Sequence, residues 1–411
     1  MPAPTIVVTG LGTFSPLGAN VAESWSALLG GESGARSLEH PWVSELQLPV
    51  TFAASVKHEP DTALERVEAK RLDRGSQFSL IAAREAWEDA GRPDVDPERL
   101  GVDWATGIGG VWTLLNAWDT LREKGARRVP PLTVPMLMPN APAATIEMEF
   151  KARAGARTAV SACASSTESV GNAVAHLQAG LADVIIAGGT EASIHPLPLA
   201  AFAQMQALSK RNDDPAAASR PYDKGRDGFV LGEGAAALVL ETEEHARARG
   251  ARIYARILGG AVTSDAYHIS APDPEGSVPR AMTQAMQNAD VAADDIRHIN
   301  AHATSTPVGD IAEYQAMRKV FGGHLDDIVV SATKASTGHL LGGAGAIEAL
   351  FTAKGLSERV APPTINLTDQ DPEIPLDVAS SPRELPEGEV LALSNSFGFG
   401  GHNAVIVLAT A

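Results

Sequence analysis

VSACASST, Val160 to Thr167, contains the single cysteine of a 411-residue chain. VSATKAST, Val330 to Thr337, repeats five of its eight residues 170 positions later and puts Thr333 and Lys334 where Cys163 and its neighbour would stand. A lone cysteine is most often a small buried hydrophobe. Its placement here points to chemistry instead. Cys163 ends a strand pattern, TAVSA, and precedes Ser165–Thr167, which offer cap residues for a helix with an apolar face at Val170, Ala173, Val174 and Leu177. A thiol there meets the positive end of a helix dipole, which favours thiolate, and a sharp turn should expose the sulfur.

A thiol nucleophile needs partners. INAHATSTPVGD places His302 just past a strand pattern, with Thr304 and Thr306 on the loop and Asp310 at the next helix start. STGHLLGGAGAIE places His339 five residues after Lys334, with Glu348 on the following helix. A single histidine is most often a satisfied core residue. Two of them at strand-to-helix turns of one α/β half gather at one sheet edge.

The elements that must position these groups alternate along the chain. TIVVTGLG (Thr5–Gly12) reads as a buried strand entering a turn, and Val21, Trp25, Leu28 and Leu29 have helical spacing ended by Gly30. Residues 31–65 read as an insertion, Leu80–Gly91 as a helix and Val102–Gly110 as a strand and turn. The Met- and Pro-rich segment 111–155 is expected to be an irregular cap. Strand and helix patterns resume from Thr158 and restart after residue 250, giving an expected N-terminal half, 1–250, with the nucleophile, and a C-terminal half, 251–411, with the histidines.

Composition sets outer limits. The formal charge of −17 argues against nucleic acid, which needs clustered Lys and Arg. No run reaches the roughly 18 apolar residues of a membrane span, and the N-terminus lacks a signal-peptide pattern. One cysteine permits no intrachain disulfide. The expected location is the cytoplasm. GLGTFS (Gly10–Ser15) lacks the third glycine of a dinucleotide fingerprint, and His298 with His302 makes a poor zinc set. No metal and no cofactor is expected.

VSACASST, NAHATSTPVGD, TKASTGHLLGGAGAIE and NSFGFGGHN resemble, in order and spacing, the β-ketoacyl-acyl-carrier-protein synthases, and DKGRDGFVLGEGAAALVLE and SDAYHISAP strengthen the likeness to their type II elongating members. The resemblance spans the chain. It implies an α/β thiolase-like fold of two duplicated halves with mixed sheets, a layered αβαβα core and a cap. It also implies a homodimer working with acyl carrier protein. Carried over by motif, Cys163 holds the acyl chain, His302 and His339 stabilise an enolate, and Lys334 pairs with Glu348. The N–H groups of Cys163 and Phe399 form an oxyanion hole, and Phe399 also gates the acyl chain. Thr304 and Thr306 bind pantetheine, Asp265 and His268 lie on a loop that shifts with the gate, and Ile108 and Phe202 line the acyl tunnel with the Met-rich cap.

The sequence departs from the family pattern at Ala303, where glycine is usual and an ordinary backbone angle is therefore expected, and at His402, where threonine is common. His402, VPMLMPNAPAATI and HPWVSELQLPV resemble the branch elongating very long, mycolic-type chains, so the branch stays open. A type II polyketide ketosynthase shares the catalytic residues. A chain-length factor would lack Cys163, and a degradative thiolase would need a second cysteine. Carrier proteins are acidic, so docking calls for a local basic patch. Arg66, Lys70, Arg71 and Arg74, with Arg127 and Arg128, are the candidates, and Arg66, Lys70 and Arg74 would share one helix face.

Overall fold

The computed structural model describes residues 3–270, 272–273 and 275–411. Its frame is ten strands: β1 Ile6–Phe14, β2 Leu100–Thr106, β3 Ala156–Ala159, β4 Val184–Glu191, β5 Gly234–Thr242, β6 Ala255–Ser264, β7 Ile296–Asn300, β8 Val329–Ser331, β9 Leu391–Gly398 and β10 His402–Thr410. The first five lie in the order β1-β5-β4-β2-β3 and the last five in the order β6-β10-β9-β7-β8. Each set thus repeats one order and one pattern, two antiparallel pairings followed by two parallel ones. The duplicated VSA turn is the local trace of this repeat, since it follows β3 in one half and belongs to β8 in the other.

Each half contributes a mixed sheet, as expected, and β1 pairs antiparallel with β6 through Ile6–Ile257, Val7–Arg256 and Val8–Ala255, which joins the two into one continuous 10-stranded sheet. The layered core is as expected. Helices α5 (Ser165–Gln178) and α8 (Ala344–Glu358) pack against each other and against strands of both halves, forming the middle layer. Their sequences explain this. Val170, Ala173, Val174 and Leu177 face one way on α5, while α8 is buried almost throughout, with Ile347, Leu350, Phe351 and Leu356 in the shared core. The outer layers are α2 (Arg74–Asp89) on the N-terminal half and α6 (Ser277–Asn288) with α7 (Pro307–Phe321) on the C-terminal half.

Segment 111–155 is not irregular. It forms α3 (Val111–Lys124), a short helix Thr133–Leu137 and α4 (Ala141–Phe150). Pro142 falls in the first turn of α4, where a missing N–H costs nothing, so proline content did not forbid a helix. The helix pattern read over Leu80–Gly91 begins earlier, at Arg74, because buried Asp73 caps it by accepting from the Gly75 N–H at 3.0 Å.

That cap also overturns the proposed basic face. A separate short helix, Arg66–Ala69, ends before Asp73, so Arg66 and Lys70 do not share a helix with Arg74. Arg74 is turned inward, paired with Glu59 at 2.8 Å and with buried Glu233 at 2.7 Å. It is a structural ion pair and leaves the docking set. Arg66, Lys70, Arg71, Arg127 and Arg128 are exposed.

Candidate active site

Between β3 and α5 the chain makes a single 3-10 turn, Ala162–Ala164, with Ala162 at φ 52°. A non-glycine residue in this left-handed region is costly and marks a turn held by its surroundings. Ser165 holds it, its Oγ accepting from the Ser161 N–H at 2.9 Å and donating to the Ala162 carbonyl at 2.6 Å. Cys163 sits at the crest, next to the N-terminus of α5. The sulfur is nevertheless buried and not exposed, 8% accessible as a residue, and burial pushes the thiol up to about 11. Lys334 and the N–H groups of Phe399 and Cys163 pull the other way without prevailing. Desolvation thus raises the thiol against the pull of Lys334 and the two N–H groups.

His302 follows β7 by two residues, and its loop is fixed by an acid that the sequence did not reveal. Buried Glu313, on α7, accepts from the His302 N–H at 2.9 Å and the Ala303 N–H at 2.7 Å, and from Asn395 Nδ2 at 3.3 Å. Its spacing, eleven residues beyond His302 on the next helix, was the available signal. Asp310 does the same for the threonines, accepting from the N–H groups of Tyr222, Ser305 and Thr306 at 3.0–3.3 Å. Ala303 does not have an ordinary backbone angle. It lies at φ 21° and Ser305 at 69°, so the loop keeps its tight shape even though glycine is absent.

His339 follows Gly338, at φ 67°, and is pinned by backbone bonds to Val230 and Gly232 at 2.8 and 2.9 Å. The rings of His302 and His339 meet edge to face, 5.4 Å between centroids at 85°. Burial, helped by the charge of Lys334, holds both imidazoles well below 6.5, so both are neutral. Among the described residues, neither ring nitrogen of His339 has a hydrogen-bond partner, and His302 Nδ1 has none. Lys334 donates to Glu348 in a fully buried ion pair; burial pushes the Glu348 carboxyl up to about 7 while Lys334 opposes it.

These groups converge. One cavity of about 440 Å³ is lined by Cys163, His302, His339, Thr304, Thr306 and Phe399, and its wall also includes Asp265. Thr304 and Thr306 hydroxyls lie 3.0 Å apart, and Thr306 also caps α7 through the Gly309 N–H. Asp265 accepts from Asn403 at 2.6 Å and from Ser277 and Asp273, tying its loop to the strand after Phe399. His268 is exposed nearby, its Nδ1 accepting from Ser270. Gly398 must lack a side chain, since a Cβ there would stand 3.0 Å from the Cys163 nitrogen.

Ile108 and Phe202 are not in this lining. Ile108 is 44% exposed, and Phe202 stands one layer back, against Phe229, which in turn packs on His339. Of the Met-rich cap, Met136 lines a separate cavity with Trp112. His298 is engaged by Ser331 at 3.1 Å, and among the described residues no group of three His, Cys, Asp or Glu side chains could hold a metal.

A layered, duplicated α/β core with a cysteine facing two histidines across one cavity defines a thiolase-like ketosynthase architecture. The N-terminal domain model of β-ketoacyl synthase matches residues 3–246 and the C-terminal domain model residues 254–368. The chain belongs to the β-ketoacyl synthase family. It is 46% identical over 406 residues to the 3-oxoacyl-[acyl-carrier-protein] synthase 2 of Mycobacterium bovis, covering 98% of this chain and 96% of that one. It is 43% identical over 407 residues to the Staphylococcus aureus protein of the same name, covering 98% and 97%. Among solved structures, a β-ketoacyl synthase from Burkholderia phymatum superposes with a TM-score of 0.90 at 34% identity, over 99% of this chain and all of the other. A type II polyketide ketosynthase solved with its acyl-carrier protein superposes at 0.91 with 31% identity over the whole of both chains.

Proposed function

We propose that this chain is an elongating 3-oxoacyl-[acyl-carrier-protein] synthase that extends an acyl chain by two carbons through decarboxylative condensation. The observation that carries this reading is the meeting of Cys163, His302, His339 and the Phe399 N–H at one cavity. With burial raising the thiol, its proton leaves as the sulfur attacks the acyl thioester. That proton ends on the departing carrier thiol, and the acyl group on Cys163. The oxygen of the tetrahedral species is held by the N–H groups of Cys163 and Phe399, donors set before the charge develops and worth about 3 kcal/mol each.

Malonyl on a second carrier then loses carbon dioxide. The electron pair of the broken C–C bond forms an enolate, whose oxygen takes hydrogen bonds from neutral His302 and His339. The enolate carbon attacks the acyl-Cys163 carbonyl, the thiolate leaves, and it recovers a proton from solvent. Burial keeps the histidines neutral, and Lys334, paired with Glu348, adds to this. Thr304 and Thr306 face the pantetheine arm, and Phe399, between Gly398 and Gly400, gates the acyl side with the loop of Asp265 and His268. Ile108 and Phe202 belong to the acyl tunnel beyond that gate.

The partner is acyl carrier protein, in line with the names of the relatives in Mycobacterium bovis and Staphylococcus aureus. The chain divides into halves 1–250 and 251–411, supported by the repeated strand order and the two domain models. It works as a cytoplasmic homodimer. Edge strand β3 and the exposed Leu114, Trp118 and Leu121 of α3 offer the face for a second copy, and no helix among the described residues is long and apolar enough to cross a membrane. A polyketide ketosynthase is the second reading, favoured by the 0.91 superposition, while the 43–46% relatives favour fatty acid elongation.

The test is to mix the purified protein with acyl- and malonyl-carrier proteins and weigh the products. A 3-oxoacyl carrier two carbons longer is expected. Cys163→Ser should make none, an alcohol being a far poorer nucleophile. Product formation by the serine variant at the wild-type rate would remove Cys163 from the mechanism.

A further inference from the structure

Glu191, the last residue of β4, is fully buried, and the mechanism above gives it no step. Its carboxylate accepts from the Gly107 N–H at 2.9 Å, the Ile108 N–H at 3.3 Å and the Thr106 hydroxyl at 3.2 Å, all at the end of β2. The Gly342 N–H, in the turn that follows His339, donates to it at 3.1 Å. Among the described residues no ion pair reaches it, so a buried carboxylate is held by main-chain and hydroxyl donors alone.

The segments it joins come from opposite halves and touch. A Cβ on Gly342 would stand 2.0 Å from the Gly107 nitrogen, and one on Gly107 would stand 2.6 Å from Glu191 Oε2. Leu341, next to Gly342, is in the left-handed region at φ 45° and lines the Cys163 cavity. The Gly342 contact therefore ties the His339–Leu341 turn to the ends of β2 and β4, and the adjoining Leu341–Gly343 turn packs on the Ala162–Ala164 turn of the nucleophile.

We propose that Glu191 is a positioning residue that clamps the two halves across the active site, holding the histidine turn against the cysteine turn for condensation. The proposal rests on the condensing reading above. A carboxylate is required because every neighbour that reaches it is a donor. An amide would aim its own N–H groups at some of them, and aspartate is one methylene too short to span both segments. The clamp has an electrostatic side as well: burial pushes the Glu191 carboxyl up to about 7, and above that pH its charge adds to burial in holding the Cys163 thiol up.

The test uses the full-length Glu191→Gln variant and two measurements. One is steady-state condensation with acyl- and malonyl-carrier proteins; the other is the pH dependence of Cys163 alkylation by iodoacetamide. The expected result is a kcat reduced about tenfold or more, since a 1 Å misplacement costs on the order of 10²-fold, with KM for both carriers within about twofold. The alkylation midpoint should move to lower pH, which a residue with a purely structural role would not cause. An unchanged kcat, or a midpoint that stays or rises, overturns the proposal. Should this variant fail to fold, Thr106→Val keeps the carboxylate and removes one donor; a several-fold fall in kcat at constant KM is expected, and a wild-type kcat refutes the clamp. If the wild-type protein itself makes no condensation product, the condensing reading fails, and the alkylation shift still decides whether Glu191 is coupled to Cys163.

Discussion

At Cys163 burial raises the thiol against the pull of Lys334 and two N–H groups, and the same desolvation keeps His302 and His339 neutral. Neutral imidazoles donate one hydrogen bond each without adding a charge that would strengthen malonyl carboxylate binding in the ground state. His302→Ala and His339→Ala should each stop malonyl decarboxylation while Cys163 still takes up labelled acyl groups. A histidine whose loss leaves carbon dioxide release intact has another task. The motifs around these residues were legible in the sequence because reactive side chains recur at recognisable spacing. Burial was not legible, because it depends on elements far away in the chain. Ala303 shows the limit at one residue: its type argues for an ordinary angle, yet with its N–H and that of His302 donated to Glu313 it lies at φ 21°. Ala303→Gly should relieve that strain and raise stability by up to about 1 kcal/mol, the entropy cost of glycine offsetting part of the gain. A denaturant midpoint that falls instead would show that the loop holds alanine without strain.

At the level of elements, periodicity located the strands and most helices, and it failed where capping and side-chain direction decide. Segment 111–155 lacks a clean apolar period because α3 leaves Leu114, Trp118 and Leu121 exposed, so its pattern matches no single buried face. Arg74 was misplaced because Asp73 starts a new helix, which residue spacing alone does not announce. Helix α2 also carries a pH-sensitive joint. Glu85 accepts from the N–H groups of Thr13 and Val21, joining α2 to β1 and to the start of α1 (Val21–Leu29). Burial, with Asp89 and Glu23 nearby, pushes its carboxyl up to about 7. The folded state thus binds this proton more tightly than the unfolded chain. The contribution is fully present below the unfolded value near 4.5 and is lost as pH rises through about 7. Glu85→Gln cannot titrate. Denaturant unfolding of the variant should show a stability that declines less between pH 4.5 and 7 than the wild type does. Equal slopes for both proteins would place the coupling elsewhere.

For the whole molecule, the duplication was visible as a repeated eight-residue turn, and it extends in the fold to a shared strand order in both halves. Joining those halves through β1 and β6 was not visible, since Ile6–Val8 and Ala255–Ile257 look like any pair of buried strands. Net charge is another property of the whole molecule. At −17 the chain repels an acidic carrier over long distances, so association needs a local basic patch that outweighs the global field. With Arg74 paired internally, exposed Arg66, Lys70 and Arg71, with Arg127 and Arg128, are what remains of the candidate patch. Reversing Lys70 and Arg71 to Glu should raise KM for the acyl carrier while leaving kcat and the alkylation of Cys163 by a small neutral reagent unchanged. The penalty should shrink as salt rises, because exposed charges are screened over about 10 Å at 0.1 M. Arg74→Gln should act differently, lowering stability by leaving buried Glu233 without its cation while sparing carrier affinity in the protein that folds. An unchanged KM in the double reversal at low ionic strength would move the docking surface off this segment, and Arg127 and Arg128 would be the next pair to reverse.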